Sequence, residues 1–519
     1  MPRSQALTQT LHVHLTADDR KRSPYYLLPF DVPDQIVQLT LHYQFTDALA
    51  SDKVGREAGN IIDLGLFDPR GYAFLTAQGF RGWSGTAKDR ITIGPAEATP
   101  GYLPGPIYPG TWHAILGLYQ LAPDGCGVTV EVTMMPGSYP LLQPAPNKLG
   151  TLDSCDAPGW YRGDLHCHTH HSDATAGVET VAAVARAQGL DFVAVTEHNT
   201  VSHLPELVHH SGQATQVATT NGPERARHSG QATQVATTNR PDLLLIPGVE
   251  ITTYRGHANV WGVRTWQEFR AVTEEHMRLI RAHAREQGLL FSINHPKPGG
   301  PAWEFETVMD ADAVEGWQAL WWVSNHLSLA FWDRLLRQGQ RPTLVGGSDK
   351  HQRPFDGTPG IYEIGTPTTW VYAGKLSEPG ILEGIRAGHV FVSQDPRGPR
   401  LSFTARGAGQ TAMMGDELRV RLGTTVSFSC CVQANPGPDN HGQDAGQGQL
   451  LRAIHKEGEA FRVPLQGAED AHTWQVTVDE DDYWRVEVIA PPQVPLDQEP
   501  AALHVFVLSN PIYVRMETG

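Results

Sequence analysis

Residues 164–173 read DLHCHTHHSD, four histidines and two aspartates in ten residues of a chain that has 24 histidines in 519. His166 and His168 stand two apart, so on an extended strand both side chains leave the same face, and Asp173 follows in the loop. A polar turn also clusters histidine, so a metal site needs further donors from elsewhere in the chain. They are present: VAVTEHN ends in Glu197 and His198, IPGVE ends in Glu250, RGHANVWG offers His257, FSINHP ends in His295, and VGGSDKH gives Asp349 and His351. Glu197 and His198 are adjacent and diverge on a strand, so His198 is the expected donor of that pair. Neutral imidazole and carboxylate suit borderline divalent ions such as Zn²⁺, Mn²⁺ or Fe²⁺. The nine donors suffice for two to three of them. Several such ions together serve hydrolysis, by activating water and neutralising developing charge. Taken singly, His257 or Asp173 reads equally well as a packed or capping residue. As a set at strand ends, imidazoles and carboxylates buried together are costly without cations.

The elements that must position these donors lie between about 159 and 395. Seven strand candidates (WYRGDLHCH, LDFVAVTEH, DLLLIPGVEIT, ANVWGV, LLFSINHP, AVEGWQAL and PTLVGGSD) alternate with helical periodicity in GVETVAAVARAQG, FRAVTEEHMRLIRAHAREQG and HLSLAFWDRLLRQGQ. Gly189, Gly288 and Gly339 fall at their C-caps. The alternation predicts an α/β layer or barrel, with donors gathered at the carboxyl ends of parallel strands. Residues 36–135 read as short alternating strands between Gly/Pro/Asp turns, and residues after 400 do so again. Two all-β domains are therefore expected, a sandwich or jelly roll over 1–150 and a smaller one over 399–519, flanking a central domain over 159–398. The Pro/Gly-rich stretch 136–158 reads as a linker. HSGQATQVATTN at 210–221 recurs identically at 228–239, two polar copies that read as an expanded exposed loop over 210–239. His209, His210 and His228 are expected there as bystanders.

Composition narrows the classes. The net charge is −16 and no Lys/Arg-rich run stands out, so no nucleic-acid partner is indicated. No signal-type segment and no long apolar run is present, so neither export nor a membrane partner is expected and the cytoplasm is the default. Five cysteines form no CxxC pair, which argues against a disulfide framework and against a cysteine-ligated zinc knuckle. Cys167, between two ligand candidates, should point away and pack.

In order, the HxH, the acid–His pair, the Glu, the two later histidines and the DxH strongly resemble the motifs of the polymerase and histidinol phosphatase (PHP) domain, over about 160–395. The flanking segments, with LGLFDPRG, GFRGWSG, ATPGYLPGP, PGTWHAILGLY and LSNPIYV, look like the CehA/McbA branch of PHP metallohydrolases. The resemblance implies a distorted seven-stranded (β/α) barrel and a trinuclear centre. One ion would take His166, His168, Glu250 and Asp349; Glu250 would bridge to a second with His257 and His295; Asp173, His198 and His351 would hold a third. Glu197 departs from the aspartate that many relatives carry.

The implied activity is hydrolysis by a metal-bridging hydroxide at a site built on Glu250 and Asp349, with a phosphomonoester or phosphodiester the leading substrate. A carboxylic ester, carbamate or amide is the second reading, because the same ligand set serves both. The expected partner is a small, anionic phosphoester. Arg162, Lys297 and Lys350 are candidates for holding it, and His171 or Glu197 for protonating the leaving group. A non-catalytic binding module with a structural metal is the contrasting class. Against it, structural zinc sites are usually closed and cysteine-rich. Trp83 and Trp112 read as turn and core packing, and the β domains as candidates for shaping the barrel mouth or for homo-oligomer formation.

Overall fold

The structure is a computed structural model and describes residues 5–49, 57–76, 78–138, 153–155, 157–210, 243–298, 301–351, 363–433, 448–467, 469–490 and 503–517. The repeated polar stretch lies outside these residues apart from His210, as does most of the 136–158 linker.

Alternating apolar residues between turns build an N-terminal sandwich of two four-stranded sheets. One has the order Leu7–Leu15, Cys126–Pro136, Ile36–Phe45, Arg90–Ile93; the other runs Tyr25–Val32, Gly110–Gln120, Ile61–Phe67, Phe80–Gly85. Leu39, Leu41, Leu64, Leu66, Trp112 and Val132 fill the space between them, so Trp112 is core, as its glycine-flanked setting predicts. The second sheet is covered on both sides. Every residue of Ile61–Phe67 is buried, because Ile62, Leu64 and Leu66 face the sandwich core while Phe67, Phe80, Trp83 and Ile115 join the core of the central domain.

The central strands are β1 (Gly159–Cys167), β2 (Phe192–His198), β3 (Leu244–Thr253), β4 (Gly256–Trp261), β5 (Leu290–Ile293), β6 (Ala313–Gln318) and β7 (Thr343–Gly347), the seven read from the sequence, and they neighbour one another in chain order. Helices α1 (Val178–Ala187), α2 (Leu204–His210), α3 (Glu274–Glu286) and α4 (Asn325–Arg337) cover them. Three of these helices end at Gly189, Gly288 and Gly339, each in the left-handed region at φ of 71°, 74° and 81°. The next elements are β8 (Thr368–Ala373), α5 (Glu378–Arg386) and β9 (Val390–Ser393).

Three features of the sheet refine the expectation. The sheet is mixed: β4 runs antiparallel to both β3 and β5. It therefore presents its amino end, with His257, where its neighbours present their carboxyl ends. Second, β7 and β1 do not close a seven-stranded ladder among the described residues. Residues 159–163 of β1 pair with β8 instead, which leaves only the end of β1 for β7. There the seam is held by the Cys167–Lys350 bridge, by Asp349 N–H donating to the His166 carbonyl (2.7 Å), and by buried Asp164 accepting from Ser348 N (3.0 Å). Third, the all-β C-terminal segment continues the central sheet as well as forming one of its own. Its strand His504–Ser509 pairs with β9 and continues the central sheet into Asp482–Ala490 and Leu450–His455, while Arg400–Gly407, Thr425–Gln433 and Glu469–Thr477 form a sheet packed against them.

Candidate metal centre

The face that carries the donors begins as apolar core. Phe192 and Ala194 of β2, then Leu244 and Ile246 of β3, pack with Ile381 and Ile385 of α5. Continuing along the same faces, His198 and Glu250 come last, and the parallel register sets them directly side by side. The next register pair is Glu250 with Asn259, two residues from His257. Period-2 geometry thus converts a hydrophobic floor into a polar rim.

All nine expected donors meet on this rim. His166 Nε2 lies 3.1 Å from His168 Nε2 and 3.3 Å from Asp349 Oδ1, and His168 Nε2 lies 3.0 Å from Asp349 Oδ1. Glu250 turns Oε1 to His166 Nε2 (3.4 Å), His257 Nδ1 (3.3 Å) and His295 Nε2 (3.3 Å), and Oε2 to His198 Nδ1 (2.8 Å). On the far side His198 Nε2 and His351 Nε2 are 3.2 Å apart, each within 3.4 Å of Asp173 Oδ1. Donors bound at 2.0–2.1 Å around one tetrahedral ion lie about 3.3 Å from each other. Two imidazole Nε2 atoms face to face at this spacing can share only one proton between them, whereas a cation takes both lone pairs. The donor set therefore fits divalent ions, and three groups of it have the spacing to hold one.

Electrostatics agree with a cation-demanding site. Burial disfavours the cation of His166, yet Glu315, Asp349 and Glu250 hold its pKa well above the ordinary value. Burial together with His198 and His351 pushes His168 down to about 3. Burial alone would raise Glu250 and Asp349, but the imidazoles hold both far below the usual carboxylate range. Backbone strain sits here too: His295 at φ 28° and Asp349 at φ 52° are in the left-handed region, where non-glycine residues persist only when their surroundings fix them.

Supporting residues include several that carry no motif. Glu315 accepts from His166 Nδ1 (2.9 Å) and from His295 N (3.0 Å); its strand, AVEGWQAL, was the one candidate without an expected donor. Asn294 donates to Glu250 Oε1 (3.0 Å) and Gln318 to Asp349 Oδ2 (2.5 Å). From the N-terminal sandwich, Lys88 Nζ donates to the carbonyls of His170 (3.1 Å) and Ser172 (2.8 Å), clamping the loop that bears Asp173. A buried polar residue in an otherwise apolar strand was the available signal for Glu315; nothing local marks Lys88.

Other candidates are engaged by partners outside the donor set. Arg162, at the opposite end of β1, donates to the carbonyls of Gly189 and Pro396 and stacks on Trp370. Lys297 Nζ is held by the Val323 carbonyl and Asn325, and burial, opposed by Glu315 and Asp349, brings it down to about 8. Lys350 pairs with Glu363. His171 contacts Ser202 and Glu206. Glu197 is wholly buried, with Oε1 taken by Thr169 and Oε2 by Ser172, so its carboxylate braces the 169–172 loop and has no free oxygen for a substrate. Cys167 packs away from the rim, its thiol against the Ala194 carbonyl.

A cavity of about 760 Å³ opens onto His198, His257 and Asp173, and much of its wall belongs to the N-terminal sandwich, including Asp63, Trp83 and Tyr119. No helix among the described residues is long and apolar enough to cross a membrane.

Comparison with known proteins agrees with the reading of the motifs. Residues 164–290 match the family model of the PHP domain. Among solved structures, it is similar to a two-domain protein of Bacteroides vulgatus containing a predicted PHP-like metal-dependent phosphoesterase, with 16% identity over 70% of this chain and 100% of that one and a TM-score of 0.33. It is also similar to PsfC of Pseudomonas syringae, with 19% identity over 41% of this chain and 83% of that one and a TM-score of 0.29. No curated protein matches the chain.

Proposed function

We propose that this protein is a metal-dependent hydrolase that cleaves a phosphoester at a centre of two to three divalent ions, Zn²⁺, Mn²⁺ or Fe²⁺. The observation that carries this reading is the paired Nε2 atoms, His166 with His168 at 3.1 Å and His198 with His351 at 3.2 Å, each pair flanked by a carboxylate. His166, His168 and Asp349 would hold one ion, His257 and His295 a second, and Asp173, His198 and His351 a third. Glu250, whose Oε1 lies near His166, His257 and His295, would be shared between the first two. Divalent ions supply Lewis acidity and activated water at neutral pH.

The chain's own residues keep the donors in their working form. Glu315 accepts the hydrogen bond of the His166 Nδ1–H, which leaves Nε2 as the ring's lone-pair donor. Asn294 and Gln318 occupy lone pairs of Glu250 and Asp349 that would otherwise swing these carboxylates out of line.

Cleavage of a carboxylic ester, carbamate or amide is the second reading, since the same donors serve acyl and phosphoryl centres. The deciding experiment is hydrolysis of nitrophenyl phosphate, bis-nitrophenyl phosphate and nitrophenyl acetate by the metal-loaded protein, with Glu250→Gln alongside. Phosphate or diester turnover abolished in Glu250→Gln is the expected result. Turnover of the acetate alone, lost in the same variant, selects the acyl reading. Inactivity on all three compounds at full metal occupancy overturns the hydrolase assignment.

A further inference from the structure

Asp63 lies in NIIDLGLF, a strand of the sandwich that is otherwise apolar. Its neighbours Ile62 and Leu64 point into the sandwich core, so period 2 turns Asp63 the other way, into the cavity shared with His198 and His257. The residue is only 8% exposed. Tyr254, just beyond β3, donates to Oδ2 at 2.6 Å, while Oδ1 has no donor among the described residues. Around it stand aromatic faces: Tyr119 stacks on Tyr254 with ring centroids 4.9 Å apart, Tyr25 stacks on Tyr254 from the core, and Trp83 lines the same wall.

Oδ1 of Asp63 faces the cavity and is left to accept a further hydrogen bond there. The partner that suits both the anion and the aromatic faces is an N–H-bearing cation, by charge-assisted hydrogen bonding and by attraction to the ring quadrupole. Burial pushes the Asp63 carboxyl up to about 6, with the Tyr254 hydroxyl and His198 opposing and Asp173 adding to the rise; at pH 8 it is ionised. Tyr254 follows Glu250 by four residues, at most about 14 Å of extended strand, so one small molecule can reach both ends of the cavity.

We propose that the cavity takes a substrate whose aromatic or apolar frame lies against the wall of Trp83 and Tyr119, with its hydrolysed group at the metal rim and an ammonium group bound by Asp63. This substrate class rests on the metal-dependent hydrolase reading. It makes Asp63 a specificity-determining residue contributed by a domain that carries none of the metal ligands.

The test is calorimetric titration, at pH 8, of the metal-loaded protein with phenylphosphonates bearing a para alkyl chain of one to three carbons that ends in an ammonium or, as control, in a hydroxyl. For at least one chain length the ammonium compound binds about tenfold tighter or more than its hydroxyl partner. That ratio falls toward one in Asp63→Asn. Tyr254→Phe, which removes the competing donor, holds or raises the ratio, and decides the matter if Asp63→Asn does not fold. A ratio near one at every chain length in the wild type, a ratio kept in Asp63→Asn or lost in Tyr254→Phe, or no binding of any member overturns the proposal. Nitrophenyl ester turnover, read in parallel, separates the two ideas. Discrimination without turnover sinks the hydrolase reading alone; turnover without discrimination sinks the ammonium pocket alone.

Discussion

His166 Nδ1 and Glu315 Oε1 are 2.9 Å apart, both wholly buried, on β1 and β6, strands that are not neighbours in the sheet. The contact is possible because Gly347 on β7 leaves the space: a Cβ there would sit 2.4 Å from His166 Cβ and 2.8 Å from Glu315 Oε1. The carboxylate fixes the imidazole tautomer and orientation and strengthens its other nitrogen as a donor. Glu315→Gln is expected to weaken metal affinity by about 10- to 100-fold, measured by metal titration with fluorescence or calorimetry. Unchanged affinity would assign Glu315 to packing alone.

Lys88 joins the N-terminal sandwich to the Asp173 loop through the His170 and Ser172 carbonyls. Hydrogen bonds from a charged donor contribute about 1.5–3 kcal/mol. Lys88→Met should therefore loosen the loop and, on the proposed reading, lower occupancy of the ion that Asp173, His198 and His351 would hold while sparing any other. Metal content by elemental analysis checks this, and an equal loss from every site would count against a local clamp.

Chelation should destabilise the whole protein. An ion that binds only the folded state adds about 2.7 kcal/mol at a concentration 100 times its dissociation constant. Removing the ions should lower the thermal midpoint, and adding Zn²⁺ or Mn²⁺ back should restore it. A midpoint indifferent to chelator and metal would mean that the donors bind none of them in the folded state.

Acid sensitivity has an identifiable source far from the metal rim. Burial disfavours the Glu487 carboxylate, but Arg485 and Arg452 hold its pKa below the ordinary 4.5, and Arg485 reaches on to Asp333 of α4 (2.8 Å). A depressed carboxyl pKa contributes stability in full above about 4.5. That contribution is lost as pH falls toward the folded-state value, because the unfolded chain takes up the proton first. Glu487→Gln should cost about 3 kcal/mol at pH 7, by removing the buried charge that Arg485 and Arg452 share, and the gap to wild type should narrow below pH 4.5. Denaturant melts at pH 7 and pH 4 test it; a gap independent of pH would show that charge is not the cause.

The amino-acid sequence by itself determined the seven central strands, their order and the nine donors. Hydrophobic periodicity and motif spacing are local, and a donor at a strand end such as His198 or Glu250 is visible within a few residues. The three helix ends were legible for the same reason, since only glycine takes the left-handed C-cap without cost. Tertiary structure decided what depends on contacts distant in the chain. Alternation does not encode strand direction, and the reversal of β4, which brings His257 to the rim from the amino end, is marked locally by only the two residues between Thr253 and Gly256, too few for a parallel crossover. The C-terminal strands read as a separate domain because pairing partners such as Phe391 and Ser509 are over 100 residues apart. Arg162 looked available because it is near a motif in sequence, yet four residues along a strand place it roughly 13 Å from His166. Asp63, Lys88 and Glu315 gain meaning only across domain and strand boundaries, where a carboxylate or ammonium group is defined by what folding sets beside it.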